Sequence, residues 1–238
     1  MVLYALFGLL LAPALNIAIQ RLPRRQPLLA GGPRCGACDA RLDWREALPV
    51  IGWLLRRGRC RRCGAPSPRR IVAVEIALPL ACAALWWRDG WGVTLLVHTI
   101  AVAFFLGVLF IDIEHRLVLN RMTAPGLLAA LGSAALGVGP TLPQAALGAL
   151  VGFIFLLIPF VLLPGLGLGD VKLAAVIGAF VGYPGVLTAL VVGIVCGGVA
   201  AAIMLATRRV GRRDSIAYAP YLVIGVLLAI FGVIGGGQ

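Results

Sequence analysis

The chain has 238 residues, of which 61% are hydrophobic and only 13% are charged, and its mean hydropathy is +1.01. A typical soluble domain is about 45–50% apolar and about 25% charged. The core of a soluble protein of this size could not enclose so much apolar surface, and the same figures exclude a disordered chain. The composition therefore predicts a polytopic membrane protein.

Basic residues are concentrated in one stretch of the sequence. Of the 21 Lys and Arg residues, 13 lie between Arg21 and Arg70 together with only three acids, so the rest of the chain carries a net charge of +2. Basic loops beside apolar spans are typical of cytoplasmic segments. A nucleic-acid-binding patch is the alternative, but we interpret the charge as a sign of membrane topology and expect no nucleic-acid partner.

Eight apolar runs have about the length of a membrane-spanning helix, which takes about 17–25 residues. They lie at about 2–19, 71–87, 93–111, 122–138, 142–163, 171–183, 186–207 and 216–234. The first run lacks the preceding basic residues of a secretory signal peptide, so we expect it to be retained. The sequence thus predicts an all-α membrane protein with about eight transmembrane helices.

The long polar stretch divides the chain into three predicted parts. These are a first transmembrane helix at 1–19, a loop domain at 20–70 (the cysteine loop below) and a membrane core of seven helices at 71–238. If the loop lies in the cytoplasm, 20 of the 21 basic residues fall on that side, and Arg88 is the exception. Such an asymmetry supports a multi-pass arrangement with a cytoplasmic loop and both termini on the opposite side.

The cysteine loop contains two C-x2-C pairs, separated by 21 residues: Cys35 with Cys38, and Cys60 with Cys63. Each pair can present two thiolates to one ion, and two pairs complete a tetrahedral zinc site. Two disulfides are the alternative, but disulfides are rare in a reducing cytoplasm. We therefore expect all four cysteines to bind zinc. Four thiolates leave no position for water, so the ion would organise the loop and would not hydrolyse a substrate.

Two acids lie where apolar runs end or begin. Asp112 follows the third run, and Asp170 precedes the sixth run after a glycine-rich stretch at 165–169. Acids beside membrane spans are costly and are therefore functional candidates. Two carboxyl groups that share one proton around a water form the working unit of an aspartic protease. The alternative is that Asp170 only caps its helix and that Asp112 pairs with an arginine. Glu75, inside the second run, also needs a partner.

In this order, the motifs resemble those of the bifunctional type IV prepilin peptidases, which are leader peptidases and N-methyltransferases. The similarity covers nearly the whole chain. It includes N-x-x-I-x-R-L-P at 16–23, the two cysteine pairs with L-P-V-I-G-W-L at 48–54, the segment 67–75, and G-x-G-D-x-K at 167–172. The chain differs at Leu119, where that family usually has proline, and at 218–221, where Y-A-P-Y replaces an F-G-P-type segment.

The resemblance implies that Asp112 and Asp170 are the catalytic aspartates of a membrane endopeptidase. It implies cleavage of type IV prepilin or pseudopilin leaders after a glycine, at the cytoplasmic face of the bacterial inner membrane. It further implies methylation of the new N-terminal residue with S-adenosylmethionine. The expected partners are these substrates and the lipid bilayer. The S-adenosylmethionine site cannot be located, because the sequence lacks the glycine-rich nucleotide loop of soluble methyltransferases.

A proton- or cation-coupled transporter is the alternative function. In that case the same acids would form a relay, and the cysteine loop would be a docking module. The hydropathy pattern shows none of the paired repeats expected of a transporter. An assay for a shortened product, with purified protein and prepilin in detergent, distinguishes the two functions.

Overall fold

The computed structural model of the protein describes residues 1–28, 31–43, 46, 48–162, 167–207 and 218–234. Within these residues the regular structure is helical, apart from two isolated β-bridges in the cysteine loop. The helices are α1 (Val2–Arg21), α2 (Ile51–Leu55), α3 (Arg70–Asp89), α4 (Val93–His115), α5 (Asn120–Ala135), α6 (Leu142–Leu162), α7 (Leu168–Val181), α8 (Gly185–Ala206) and α9 (Ala219–Ile230).

The helices confirm the predicted all-α membrane class. Apart from α2, a short helix in the cysteine loop, each coincides with one of the eight apolar runs. Five of them, α1, α3, α4, α6 and α8, are long and apolar enough to cross a membrane. The remaining three, α5, α7 and α9, have 16, 14 and 12 residues. A crossing by these three stays a prediction, because an upright helix needs about 20 residues to span the hydrocarbon core.

Both candidate acids lie near the ends of helices, Asp112 in the last turn of α4 and Asp170 in the first turn of α7, close to where the apolar runs end and begin. Helix α4 continues past residue 111 and ends at His115, and α7 begins at Leu168. Hydropathy marks where apolar residues stop, whereas a helix continues until its backbone hydrogen bonds end. Here α4 ends where Arg116 adopts a positive φ of 53°.

Some predicted features lie outside the described residues. They are the end of the fifth apolar run at Leu163, the first two residues of the glycine-rich stretch at 165–169, the basic residues Arg208, Arg209, Arg212 and Arg213, and the start of the last run at Ile216.

The chain forms two compact units, Met1–Leu95 and Leu96–Gln238. In the first unit α1 packs along α3. The two helices approach closely at Gly8, where a Cβ would lie 2.9 Å from the Cα of Pro79. At the end of α1 the buried Arg21 guanidinium donates hydrogen bonds to four backbone carbonyls between residues 27 and 32. These bonds hold the chain close to the helix end as the cysteine loop begins.

In the second unit α6 packs on α7 and α8 packs on α9, both through small residues. A Cβ on Gly178 of α7 would overlap the carbonyl oxygen of Gly148 in α6, and a Cβ on Gly225 would overlap the carbonyl oxygen of Ala189. Close backbone approach suits a bilayer, where van der Waals contact replaces the hydrophobic effect between helices. Nine of the 14 residues of α7 are buried, and they include Asp170. This unit therefore holds Asp170 on its most enclosed helix.

Candidate functional site

The two C-x2-C pairs form two turns of the same geometry. In each turn the N–H of the first cysteine, Cys35 or Cys60, donates to the carbonyl five residues later at 2.9 Å. The N–H of the fourth residue after that cysteine, Asp39 or Gly64, donates back to the cysteine carbonyl. Both of these residues have positive φ, and a β-bridge closes each turn. The loop thus presents its four thiols from two matching turns.

The spacing of the four sulfurs fits a tetrahedral zinc ion. The Sγ atoms of Cys35 and Cys63 are 3.9 Å apart, as are those of Cys38 and Cys60, and all four lie within 4.8 Å of one another. A Zn–S distance of about 2.3 Å places the sulfurs of a regular tetrahedron about 3.8 Å apart. The cysteines are free thiols. The structure therefore brings together all four predicted ligands in a cluster that could hold a metal ion.

The local backbone also favours thiolate at one of the four cysteines. The backbone N–H groups of Cys63 and Arg62 lower the pKa of Cys60 to about 6, and burial opposes this shift. The N–H of Ala65 lowers the pKa of Cys63, but the thiol of Cys38 and desolvation outweigh it and raise that pKa to about 11. The surroundings thus favour the thiolate form at Cys60 and disfavour it at Cys63.

Glu75 has the partner that its position in an apolar run requires. Its Oε2 accepts a hydrogen bond from the N–H of Val50 at 2.6 Å, and the positive charge of Arg56 acts on the carboxylate. Val50 adopts a positive φ of 59°, which is uncommon for a β-branched residue. The carboxylate therefore connects α3 to the cysteine loop.

Asp112 is buried in the second unit, with only 4% of its surface exposed. Its carboxylate interacts with the backbone N–H of Ala219 at the start of α9 and with the charge of Arg116. The Oδ2 atom is buried and has no hydrogen-bond partner among the described residues. Buried carboxylate oxygens without a partner are uncommon because their desolvation is costly. One oxygen of Asp112 is thus held by the protein, and the other is available to a bound group.

Asp170 lies in the first turn of α7 and is 8% exposed. Its Oδ2 accepts a hydrogen bond from the N–H of Gly167 at 3.1 Å, while its own N–H donates to the carbonyl of Gly167 at 3.0 Å. The carboxylate therefore stabilises the start of the helix, as the capping alternative predicts. The negative charge of Asp112 also acts on Asp170. The fold thus brings together two acids that are distant in sequence and that both count among its few buried charges.

Three further contacts near the acids involve residues that were not predicted as site residues. Lys172 donates to the Oδ1 of Asn120 at 2.9 Å and so ties α7 to α5. Gly169 lies against Val118, where a Cβ would be 2.8 Å from the Cβ of Val118. The third contact is between the backbone N–H of Ala219, at the start of α9, and the Asp112 carboxylate. The sequence signal for this last contact is Pro220 in the first turn of α9, since proline there marks a helix start with outward-pointing N–H groups.

These features define a helical membrane protein with a cluster of four thiols that could hold a metal ion and a separate pair of buried acids. Comparison with known proteins gives its family. Residues 6–89 match the Bacterial Peptidase A24 N-terminal domain, and residues 99–202 match the Type IV leader peptidase family. The first match contains the four cysteines and the second contains both aspartates.

Relatives in three bacteria carry the name prepilin leader peptidase/N-methyltransferase. The Myxococcus xanthus (strain DK1622) protein is 35% identical over 89% of this chain and 66% of its own length. The Aeromonas hydrophila protein is 30% identical over 94% of this chain and 88% of its own. The Xanthomonas campestris pv. campestris protein is 28% identical over 94% of this chain and 88% of its own length. No solved structure matches the chain.

The chain belongs to the type IV leader peptidase family. It is therefore a multi-pass membrane peptidase, and the peptidase and methyltransferase interpretation of its sequence is confirmed at the level of the family. None of these comparisons supports the transporter alternative.

Proposed function

We propose that the chain cleaves the leader peptides of type IV prepilins or pseudopilins with Asp112 and Asp170 as its catalytic pair. The observation that supports the proposal is that both carboxyl groups are buried, that the negative charge of Asp112 acts on Asp170, and that the Oδ2 of Asp112 has no hydrogen-bond partner among the described residues. Two carboxyl groups in mutual repulsion favour a state with one shared proton. That state supplies a general base and a general acid together.

In the proposed reaction the ionised carboxylate takes a proton from water while the water oxygen attacks the scissile carbonyl carbon. The protonated carboxyl group donates a hydrogen bond to the carbonyl oxygen as negative charge develops there. The tetrahedral intermediate then collapses, the C–N bond breaks, and the leaving amine nitrogen receives a proton. Gly167 and Ala219 position the pair, because their backbone N–H groups hold one carboxylate each.

The proposed second activity is methylation of the amine that cleavage exposes. S-adenosylmethionine supplies a methyl group from its sulfonium, whose C–S electrons stay on sulfur as the amine lone pair forms the N–C bond and the amine releases a proton. The two cysteine turns would hold one zinc ion through Cys35, Cys38, Cys60 and Cys63. With four thiolate ligands that ion orders the loop and has no position for hydrolytic water.

We propose that the cysteine loop and both aspartates face the cytoplasm from the bacterial inner membrane. The concentration of 13 basic residues between Arg21 and Arg70 supports this orientation. The substrate would then present its leader and cleavage site at the same face.

The decisive experiment is leader cleavage by the Asp112→Asn and Asp170→Asn variants. Each change keeps the size of the side chain and removes its ionisable proton. In Asp170→Asn the new amide oxygen can still accept the Gly167 N–H. We expect each variant to lose cleavage by a factor of about 10² or more, which is the scale of general acid–base catalysis. The measurement is the rate of product formation from a purified prepilin in detergent.

Glu114→Gln is the matched control. Glu114 lies two residues after Asp112 on the same helix and is exposed, so loss of its charge should leave cleavage near the wild-type rate. All variants should keep their metal content and elute as monodisperse protein. Near wild-type cleavage by either aspartate variant would show that the aspartic mechanism is wrong.

A further inference from the structure

A small cavity of about 60 Å³ lies in the first unit, between α1, α3 and the cysteine loop. Its walls include Asn16 from α1, Glu75 from α3, and Glu46, Trp53 and Arg56 from the loop. On the same scale one water molecule needs about 10–15 Å³. The cavity therefore has room for a polar group of several heavy atoms, but not for a whole nucleoside.

Two polar side chains of the cavity wall have buried atoms without a partner among the described residues, namely the Oδ1 of Asn16 and the Nε1 of Trp53. Asn16 is 8% exposed, and its Nδ2 donates to the carbonyl of Ile71 at 3.1 Å. A carbonyl can only accept, so this bond fixes Oδ1 as the unpartnered atom. The wall therefore offers an unused acceptor and an unused donor.

The charges on the wall are also of both signs. Glu46 and Glu75 are 8% and 6% exposed. Each already accepts one backbone N–H bond, from Asp43 and Val50 respectively. Arg56 bonds to the carbonyls of Gly52 and Glu46, which holds its guanidinium at the wall. Two buried acids and a half-buried arginine around one small space complement a group with both an ammonium and a carboxylate.

We propose that this cavity binds the amino-acid end of S-adenosylmethionine, an inference that rests on the proposed N-methyltransferase function. The ammonium of the methyl donor would face the Glu75 carboxylate and the Oδ1 of Asn16. Its carboxylate would accept from the Nε1 of Trp53 and pair with Arg56. The nucleoside would lie outside the cavity, because the enclosed volume holds only the smaller end of the molecule.

This assignment gives the cysteine loop a role in methyl transfer. Three of the four proposed binding side chains come from the loop or touch it, since Glu75 accepts from Val50. Loss of zinc would then disturb the donor site through the loop backbone. Asp112 and Asp170 contribute nothing to this cavity, because every residue that lines it lies in the first unit.

The test is a binding measurement with the full-length protein in detergent, by equilibrium dialysis of radiolabelled S-adenosylmethionine. The variants are Glu75→Gln, which keeps an acceptor for the Val50 N–H, and Trp53→Phe, which removes only the indole N–H donor and some ring area. We expect a loss of affinity of about tenfold or more for Glu75→Gln and a few-fold for Trp53→Phe, since bonds to charged groups are the stronger ones. Glu114→Gln, the same substitution at an exposed acid of the second unit, should bind as the wild type does.

A second ligand separates a binding role from a structural one. 5′-Methylthioadenosine shares the nucleoside of the methyl donor but lacks its amino-acid end, so its affinity should be equal in the wild type and in Glu75→Gln. Leader cleavage by the same samples identifies a variant that fails to fold, and Trp53→Phe then carries the test.

The two proposals fail in different ways. A wild type that methylates, together with Glu75→Gln and Trp53→Phe variants that bind the donor normally, would overturn the cavity assignment alone. A wild type that cleaves prepilin but neither binds nor uses the donor would overturn the methyltransferase function and the cavity assignment together.

Discussion

The contact between α6 and α7 gives a prediction that can be worked from the structure. A Cβ added at Gly178 would overlap the carbonyl oxygen of Gly148, and the obstacle is backbone on both sides. A flexible side chain could move away, but here the two helices must separate. Gly178→Ala should therefore open the packing of the helix that carries Asp170.

The magnitude follows from two opposing effects. Overpacking a well-packed contact costs about 1–3 kcal/mol, and we take the upper end because neither neighbour can rotate away. Alanine in a helix is favoured over glycine by about 1 kcal/mol. The net loss of stability is then about 2 kcal/mol. For a chain of this length that corresponds to a fall in melting temperature of about 4–8 °C.

Gly198→Ala is the matched control. Gly198 lies within α8, and a Cβ there would have nothing within 4 Å. Only the helix propensity term remains, so this variant should melt about 2–4 °C above the wild type. The glycine-to-alanine substitution is therefore expected to lower the melting temperature at position 178 and to raise it at position 198.

The assays are thermal unfolding in detergent and the rate of leader cleavage. A displacement of about 1 Å at a reacting group can reduce a rate by about 10², so Gly178→Ala should cleave at least about tenfold more slowly, whereas Gly198→Ala should not. A Gly178→Ala protein as stable and as active as Gly198→Ala would refute the close α6–α7 contact.

Three further predictions follow from the metal cluster, the second unit and the charge distribution. Replacing Cys60 and Cys63 by serine should abolish the zinc binding that we propose for the cysteine loop, measured as metal per chain, and should impair methylation of a pre-cleaved pilin more than leader cleavage; unchanged zinc content would exclude the four-thiolate site. Lys172→Met should slow cleavage by less than either aspartate variant, because its bond to Asn120 links two helices and is exposed; a loss as large as that of Asp170→Asn would place Lys172 in the chemistry. Alkaline phosphatase fused after residue 26 should be inactive and after Gly90 active, since the enzyme folds only outside the cytoplasm; the reverse pattern would invert the topology.

Much of the fold followed from the sequence because the relevant signals are local. A long apolar run needs no knowledge of its neighbours to predict a membrane helix, and all eight runs correspond to helices in the described residues. Near Asp112 and Asp170 the predicted spans stop three or four residues short of the helix ends. Hydropathy averages over several residues, whereas Gly167 and Asp170 begin α7 through specific backbone hydrogen bonds.

The sequence by itself determined the membrane class, the four candidate metal ligands and the two candidate acids, because composition and short spacings are properties of neighbouring residues. Only the tertiary structure decided which groups meet. It brought the sulfurs of Cys35 and Cys63 to 3.9 Å from each other, and it placed Asp112 where its negative charge acts on Asp170. It also supplied Val50 as the partner of Glu75 and left the Oδ1 of Asn16 without one among the described residues. The physical reason is that these contacts join residues far apart in sequence, so they depend on helix packing and loop path, which no local pattern encodes.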